Sequence, residues 1–160
     1  MENTVYNNNL KFIVSLTATL TVGALGGFFT FSEIPTWYAS LVKPSFNPPN
    51  GLFGPVWTTL YAMMGYSFYL IWRLPSSTQQ KKAMLVFGIQ LLLNAGWSFV
   101  FFKCHALFGA IIEIVALWLS ILYTIFLFYP LQKKAALLLI PYLLWVSFAT
   151  VLTVAIWQLN

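Results

Sequence analysis

The sequence predicts an all-α membrane protein, a bundle of five transmembrane helices with a structured loop between helices 1 and 2, forming one domain over residues 1–160. Three observations carry this. The chain is 60% hydrophobic and only 7% charged, with a mean hydropathy of +0.81, whereas soluble domains carry roughly 25% charged residues. Its five long apolar runs suit the ~20 residues that a helix rising ~1.5 Å per residue needs to cross ~30 Å of hydrocarbon. Between the first two runs lies a proline-punctuated, aromatic loop from Trp37 to Gly51, barred from regular helix at Pro44, Pro48 and Pro49.

The runs are Leu10 to Phe31, Leu52 to Trp72, Ala83 to Phe102, Ala106 to Tyr129 and Ala135 to Trp157. Short connections force neighbouring helices antiparallel and set the termini on opposite faces. Lys11, Arg73, Lys81, Lys82, Lys133 and Lys134 fall on the N-terminal face, Lys43 and Lys103 on the other. By the positive-inside rule the N-terminus is cytoplasmic if the membrane is a plasma membrane. The net charge of +5 therefore reads as orientation, and no nucleic-acid partner is expected. MENTVYNNNLK is polar and leads into a run long enough to span, so no cleavable signal is expected.

In the first helix Gly23 and Gly27 form a GxxxG spacing. It has two readings: a dimer face, or room for a neighbouring helix or a ligand within the bundle. The loop that follows carries Pro44, Pro48 and Pro49, which bar helix. Irregular backbone at membrane depth needs cover from protein or a water-filled cavity, so the loop is expected to fold back over the spans as a lid. Pro55 is assigned to the first turn of the second helix, where a missing N–H costs nothing.

On the second helix Trp57, Tyr61, Met64 and Phe68 share a face at i, i+4, i+7 and i+11. Such a stripe is either bundle core or a wall for a planar apolar ligand. The third helix places Gln90, Asn94, Trp97 and Phe101 on one face at the same spacing. Hydrocarbon cannot satisfy two amides, so they point inward, either to bond another helix or to meet a ligand.

Glu113 is the one acid clearly at membrane depth, sharing its face with Gly109, Ala116 and Ser120. It is either protonated, hydrogen-bonded glue in a closely packed seam or the mark of a polar cavity. In the fifth helix Pro141 should kink the chain or free a carbonyl. Beyond it Trp145, Ala149 and Leu152 align at i, i+4 and i+7 beside Phe148. The small Ala149 among large neighbours suits a pocket floor or the seat of another helix.

Much chemistry is excluded. Cys104 and His105 are the only cysteine and histidine, adjacent in a short loop, so no metal site is expected from side chains. No nucleophile triad, paired carboxylates or phosphate-binding glycine loop is present. What remains is an apolar, aromatic, weakly polar binding chemistry.

The run WYASLVKPSFNPPNGLFGPVWTTLYAMMGYSFYLIW resembles the signature of the translocator protein family, also called tryptophan-rich sensory proteins or peripheral benzodiazepine receptors. QLLLNAGWS in the third helix and PYLLWVSFAT in the fifth continue the likeness at the family's order and spacing. The resemblance implies a five-helix bundle, often a homodimer, that binds porphyrins such as protoporphyrin IX as ligand and requires no cofactor. Carried over by motif, the ligand-binding residues are Trp37, Trp57, Tyr61, Asn94, Trp97, Trp145, Phe148 and Ala149, with Leu152 on the same face as the last group. It also raises an enzymatic reading, light- and oxygen-dependent porphyrin breakdown, with Trp57 and Trp145 as candidate redox-active residues. A membrane scaffold assembled through glycine-lined faces is the third reading.

Two positions depart from the family pattern. Cholesterol-binding members carry a Tyr and then a basic residue after a leucine late in the fifth helix, where this chain has Val154 and Gln158 after Leu152. That lowers the expectation of specific sterol binding. Phe46 stands where many members have Trp, keeping the bulk and losing the indole donor.

Overall fold

A computed structural model describes the backbone from residue 2 to residue 160 and the side chains from Asn7 onward. Its elements are α1 (Glu2–Phe31), α2 (Trp37–Ser40), α3 (Asn50–Trp72), α4 (Thr78–Ser98), α5 (Leu107–Leu131), α6 (Lys133–Leu138) and α7 (Ile140–Leu159). A π-helical segment, Phe99–Lys103, extends α4. No strand occurs among the described residues.

Four stretches are long and apolar enough to cross a membrane: Asn7–Phe31, Thr78–Lys103, Leu107–Leu131 and Lys133–Leu159. The expected second span, α3, is a full 23-residue helix but does not reach that apolarity, because glycine, threonine, tyrosine and tryptophan replace aliphatic residues along it. Outward faces are predominantly hydrocarbon-like, with Leu92 and Phe126 each 72% exposed. A protein surface this apolar is suited to lipid rather than water.

Boundaries differ from the sequence expectation in ways that have physical causes. The polar residues before Leu10 continue α1, since extending an existing helix is cheap once it is nucleated. Pro55 falls in the second turn of α3, because the helix already begins at Asn50 behind Pro49. Pro141 interrupts the last rod: it cannot donate to the carbonyl of Leu137, and α6 gives way to α7 at Leu139.

The α3–α4 connection shows how helix ends are satisfied. The Ser77 hydroxyl accepts from the Gln80 amide at 3.1 Å, an N-cap for α4. The buried Gln80 side chain in turn donates to the carbonyls of Ile71, Trp72 and Leu74 at 3.1–3.3 Å, which α3 would otherwise leave unpaired.

α1 lies against α3 and α4, α5 against α4 and α7, and α6 against α3. The α1–α3 approach is tight in the lower half. A Cβ on Gly65 would lie 2.9 Å from the Leu16 backbone, and the Thr19 hydroxyl donates to the Tyr61 carbonyl at 2.9 Å. The main core includes Met64, Ile71, Phe87, Phe128 and Tyr142. A smaller cluster of Tyr38, Phe101, Phe102, Ala110, Leu152 and Ile156 sits at the lid end.

Candidate functional site

Beneath the lid lies a cavity of about 330 Å³ walled by α1, α2, α3, α4 with its π segment, and α7. The sequence builds each wall differently. α3 contributes Phe53, Trp57 and Tyr61, spaced four apart so that all three rings face one way. α7 contributes Trp145, Phe148, Ala149 and Leu152. Trp97 comes from α4 and Phe101 from its π segment, stacked with centroids 5.1 Å apart. A π turn adds a residue to the helical path, a distortion common at functional sites. No charged side chain lines the cavity among the described residues.

Small residues make up the middle of the α1 wall, between Leu20 and Phe31. The Tyr61 ring occupies the space that a side chain on Gly23 would need. A Cβ on Gly26 would come 3.2 Å from the Ser98 hydroxyl of α4. Gly27 lines the cavity, where a Cβ would meet only Phe31 of its own helix. Gly23 and Gly27 thus both serve the interior of the bundle.

Under the wall runs a buried polar chain. The Tyr61 hydroxyl donates to the Asn94 side-chain oxygen, the Asn94 amide donates to the Tyr142 hydroxyl at 2.8 Å, and Tyr142 donates to Gln90 at 3.0 Å. Both inward-pointing amides of α4 therefore bond helices. The indole N–H groups of Trp97 and Trp145 and the Gln90 amide nitrogen are buried without partners among the described residues.

The lid is fastened at several points. Tyr38 is 4% exposed, packs on Phe101 and Phe102 at 6.3 and 5.8 Å, and donates to Asn47 at 2.8 Å. Burial pushes its phenol above the ordinary 10.0. At the lid's start Glu33 accepts from Lys103 at 2.7 Å and pairs with His105 at 3.3 Å. The Lys103 hydrogen bond holds the Glu33 carboxyl below its usual 4.5, against a smaller opposing effect of desolvation. His105, with φ of 53°, is the one non-glycine in the left-handed region among the described residues and stacks on Trp37. At the lid's far side the Val42 N–H donates to the Asn160 side chain at 3.0 Å, and Asn160 donates back to the Val42 carbonyl at 3.0 Å.

Of the residues the sequence brought forward, Trp57, Tyr61, Trp97, Trp145, Phe148, Ala149 and Leu152 line the cavity. Trp37 and Asn94 do not. Trp37 turns onto His105 and the edge of Phe101, fastening the lid from outside. Asn94 is buried behind the cavity wall, where it accepts from the Tyr61 hydroxyl. Glu113 is half-buried, away from the cavity, with its carboxylate 2.8 Å from where a Cβ on Gly96 would stand. Phe53, Thr153 and Ile156 were missed, although each lies at helical spacing from a residue already chosen. The α1 wall was missed except for its glycines, since aliphatic lining residues carry no signal distinct from lipid-facing ones.

Residues 15–158 match the family model described as the TspO/MBR family. The chain is 41% identical over 153 residues to the tryptophan-rich protein TspO of Archaeoglobus fulgidus, covering 96% of this chain and 99% of that one. It is 38% identical over 140 residues to the human translocator protein, covering 85% of this chain and 82% of that one. It is 32% identical over 151 residues to the tryptophan-rich sensory protein of Cereibacter sphaeroides, covering 94% and 90%.

Proposed function

This chain belongs to the TspO/MBR family, and from that premise we propose that it binds porphyrins such as protoporphyrin IX, and similar hydrophobic ligands, as a five-span membrane sensor or translocator. The observation that carries this reading is the cavity itself, walled by aromatic rings from α3, α4 and α7 and lined by no charged group among the described residues. Flat π faces stack on a planar macrocycle, and apolar walls favour taking it out of water. The unpartnered indole donors of Trp97 and Trp145 support a ligand that carries a hydrogen-bond acceptor. A volume of about 330 Å³ lies at the small end of the range for ligand sites, ~300–1,000 Å³.

α3 is the fifth span in this reading, its lower apolarity being the consequence of walling a site. Lys82, Lys133 and Lys134 lie over the rings of Tyr123, Tyr129 and Tyr66, a basic and aromatic belt that supports a cytoplasmic N-terminal face. The family premise also supports a homodimer. Val154 and Gln158 argue against a specific cholesterol site.

Titration of the purified protein with protoporphyrin IX tests the assignment. Saturable quenching of tryptophan fluorescence, weakened in Trp57→Ala and Trp145→Ala, is the expected result. Quenching that never saturates, or that ignores both substitutions, would sink it. The placement of Trp57 and Trp145 on one cavity also favours a second reading, light- and oxygen-dependent breakdown of the bound porphyrin. Illumination decides that reading: bleaching no faster than for free porphyrin in detergent removes it.

A further inference from the structure

The cavity is open on one side. Leu20, Ala24 and Phe31 of α1 and Asn50, Gly54 and Thr58 of α3 line it, yet all six are exposed. A residue can be both cavity wall and exterior only at an opening. On the α7 side, Leu152, Thr153 and Ile156 line the same space and are buried. The opening therefore lies in the seam between the upper half of α1 and the first half of α3.

The seam is shut below and free above. Tyr61 fills the notch at Gly23, and Thr19 bonds the Tyr61 carbonyl. Among the described residues no side-chain hydrogen bond joins α1 to α3 between Gly23 and Phe31. A Cβ on Gly54 would meet nothing within 4 Å. The Thr58 hydroxyl donates to the Gly54 carbonyl at 2.9 Å, so its donor is satisfied within its own helix, and the other polar side chain at the rim, Asn50, lies at the lid-side end of α3.

Depth decides what the opening faces. Ala24 and Thr58 are each roughly 10 Å along the axis from the lid-side ends of their helices at ~1.5 Å per residue, which places them beside acyl chains rather than water. The neighbouring outward residues are apolar: Leu25 is 50% exposed, Phe28 72% and Phe31 71%. The lid, by contrast, is held by the Val42–Asn160 pair, by buried Tyr38 and by Glu33 with Lys103.

We infer that the cavity exchanges its ligand with the bilayer through the α1–α3 seam and not with water through the lid. This rests on the binding reading above and narrows the ligand class to molecules that already reside in the acyl region of a membrane. A lateral opening also allows part of a ligand larger than the closed cavity to project between the helices.

The test uses the full chain carrying Cys104→Ser, in phosphatidylcholine vesicles, with protoporphyrin IX as probe. A Val42→Cys/Asn160→Cys disulfide staples the lid, and association and dissociation rates are expected to match those of the reduced form. Gly54→Leu narrows the seam, and both rates are expected to fall together by about tenfold, a barrier of about 1.4 kcal/mol. A nitroxide on Ala24→Cys is expected to collide more with dissolved oxygen than with a water-soluble nickel chelate. A stapled lid that blocks exchange, rates indifferent to Gly54→Leu, or an Ala24 label reached mainly by the chelate or shielded from both quenchers by a second copy would each overturn the route. Those outcomes leave the binding reading standing, whereas absence of saturable quenching in the parent protein overturns the reading and the route together.

Discussion

His105 lies face to face with Trp37, ring centroids 4.2 Å apart and planes within 10°, and the same imidazole reaches Glu33 at 3.3 Å. The turn after α4 thereby holds the first residues of the lid through one stacked pair and one carboxylate shared with Lys103. Lid position is thus set partly by groups that water and protons reach.

The Glu33 carboxyl is held below its ordinary 4.5 mainly by the Lys103 hydrogen bond. A depressed carboxyl contributes stability that is present above its unfolded value and is lost as pH falls through the lower folded one. Backbone-amide protection across Ser32 to Trp37 should therefore be flat at neutral and mildly acid pH and decline only below 4.5. Glu33→Gln should show reduced protection at neutral and mildly acid pH and converge with the parent once the pH has fallen well below 4.5. Hydrogen exchange followed by mass spectrometry checks this, and a Glu33-dependent loss that is complete above 4.5 contradicts it.

Asn94 accepts from Tyr61 and donates to Tyr142, so Asn94→Leu strands the buried Tyr61 hydroxyl and leaves Tyr142 with Gln90 alone. The expected cost is about 1–2 kcal/mol, the upper part of the range for hydrogen bonds inside membranes. Thermal unfolding in detergent measures it; an unchanged midpoint would mean the polar chain is not cohesive.

Gly23→Leu drives a side chain into the Tyr61 ring, and overpacking of this kind typically costs about 1–3 kcal/mol. Adding Tyr61→Ala should recover part of the loss, because contacting sites are not additive. Equal losses in the single and double variants would show that Gly23 serves something other than the Tyr61 ring.

Ala149 is the small residue on the α7 wall. Ala149→Phe should fill cavity space and weaken protoporphyrin IX binding by at least about tenfold, about 1.4 kcal/mol, without lowering the unfolding midpoint. A fluorescence titration beside a melting curve separates the two effects, and an unaltered affinity would move the site away from α7.

The helical membrane architecture was legible because apolar length and proline placement are local properties. The aromatic walls were legible for the same reason: Trp57 and Tyr61, or Trp145 and Ala149, are one turn apart, and helical spacing alone puts them on a common face. Asn94 shows where periodicity stops. Its direction was readable, but whether Tyr61 would stand in front of it depends on how far α3 and α4 are apart. Trp37 shows the same limit in the loop, where no period exists to fix a direction. The α1 wall was hidden for a different reason, since Leu20 and Ala24 look no different in sequence from residues that face only lipid. In sequence Leu52 to Trp72 reads as a full span, and the shortfall of α3 in apolarity follows from the glycine, threonine and aromatic residues that its use as a wall requires.

The π-helical segment from Phe99 to Lys103 makes the length of this chain a variable that shapes the cavity. A π turn holds one more residue than the α-helical path requires, so a single codon could be lost there and the helix would close up as regular α-helix instead of breaking. The residues beyond the turn would keep their direction, because the π turn is what absorbs the extra residue, while those inside it, Phe101 among them, would be displaced from the wall that Phe101 now forms with Trp97. A deletion elsewhere in a span turns everything beyond it by about 100°, one residue's share of an α-helical turn, whereas one here would preserve a membrane protein and change what it can hold. In a lineage, such an event would split binding from folding in one step.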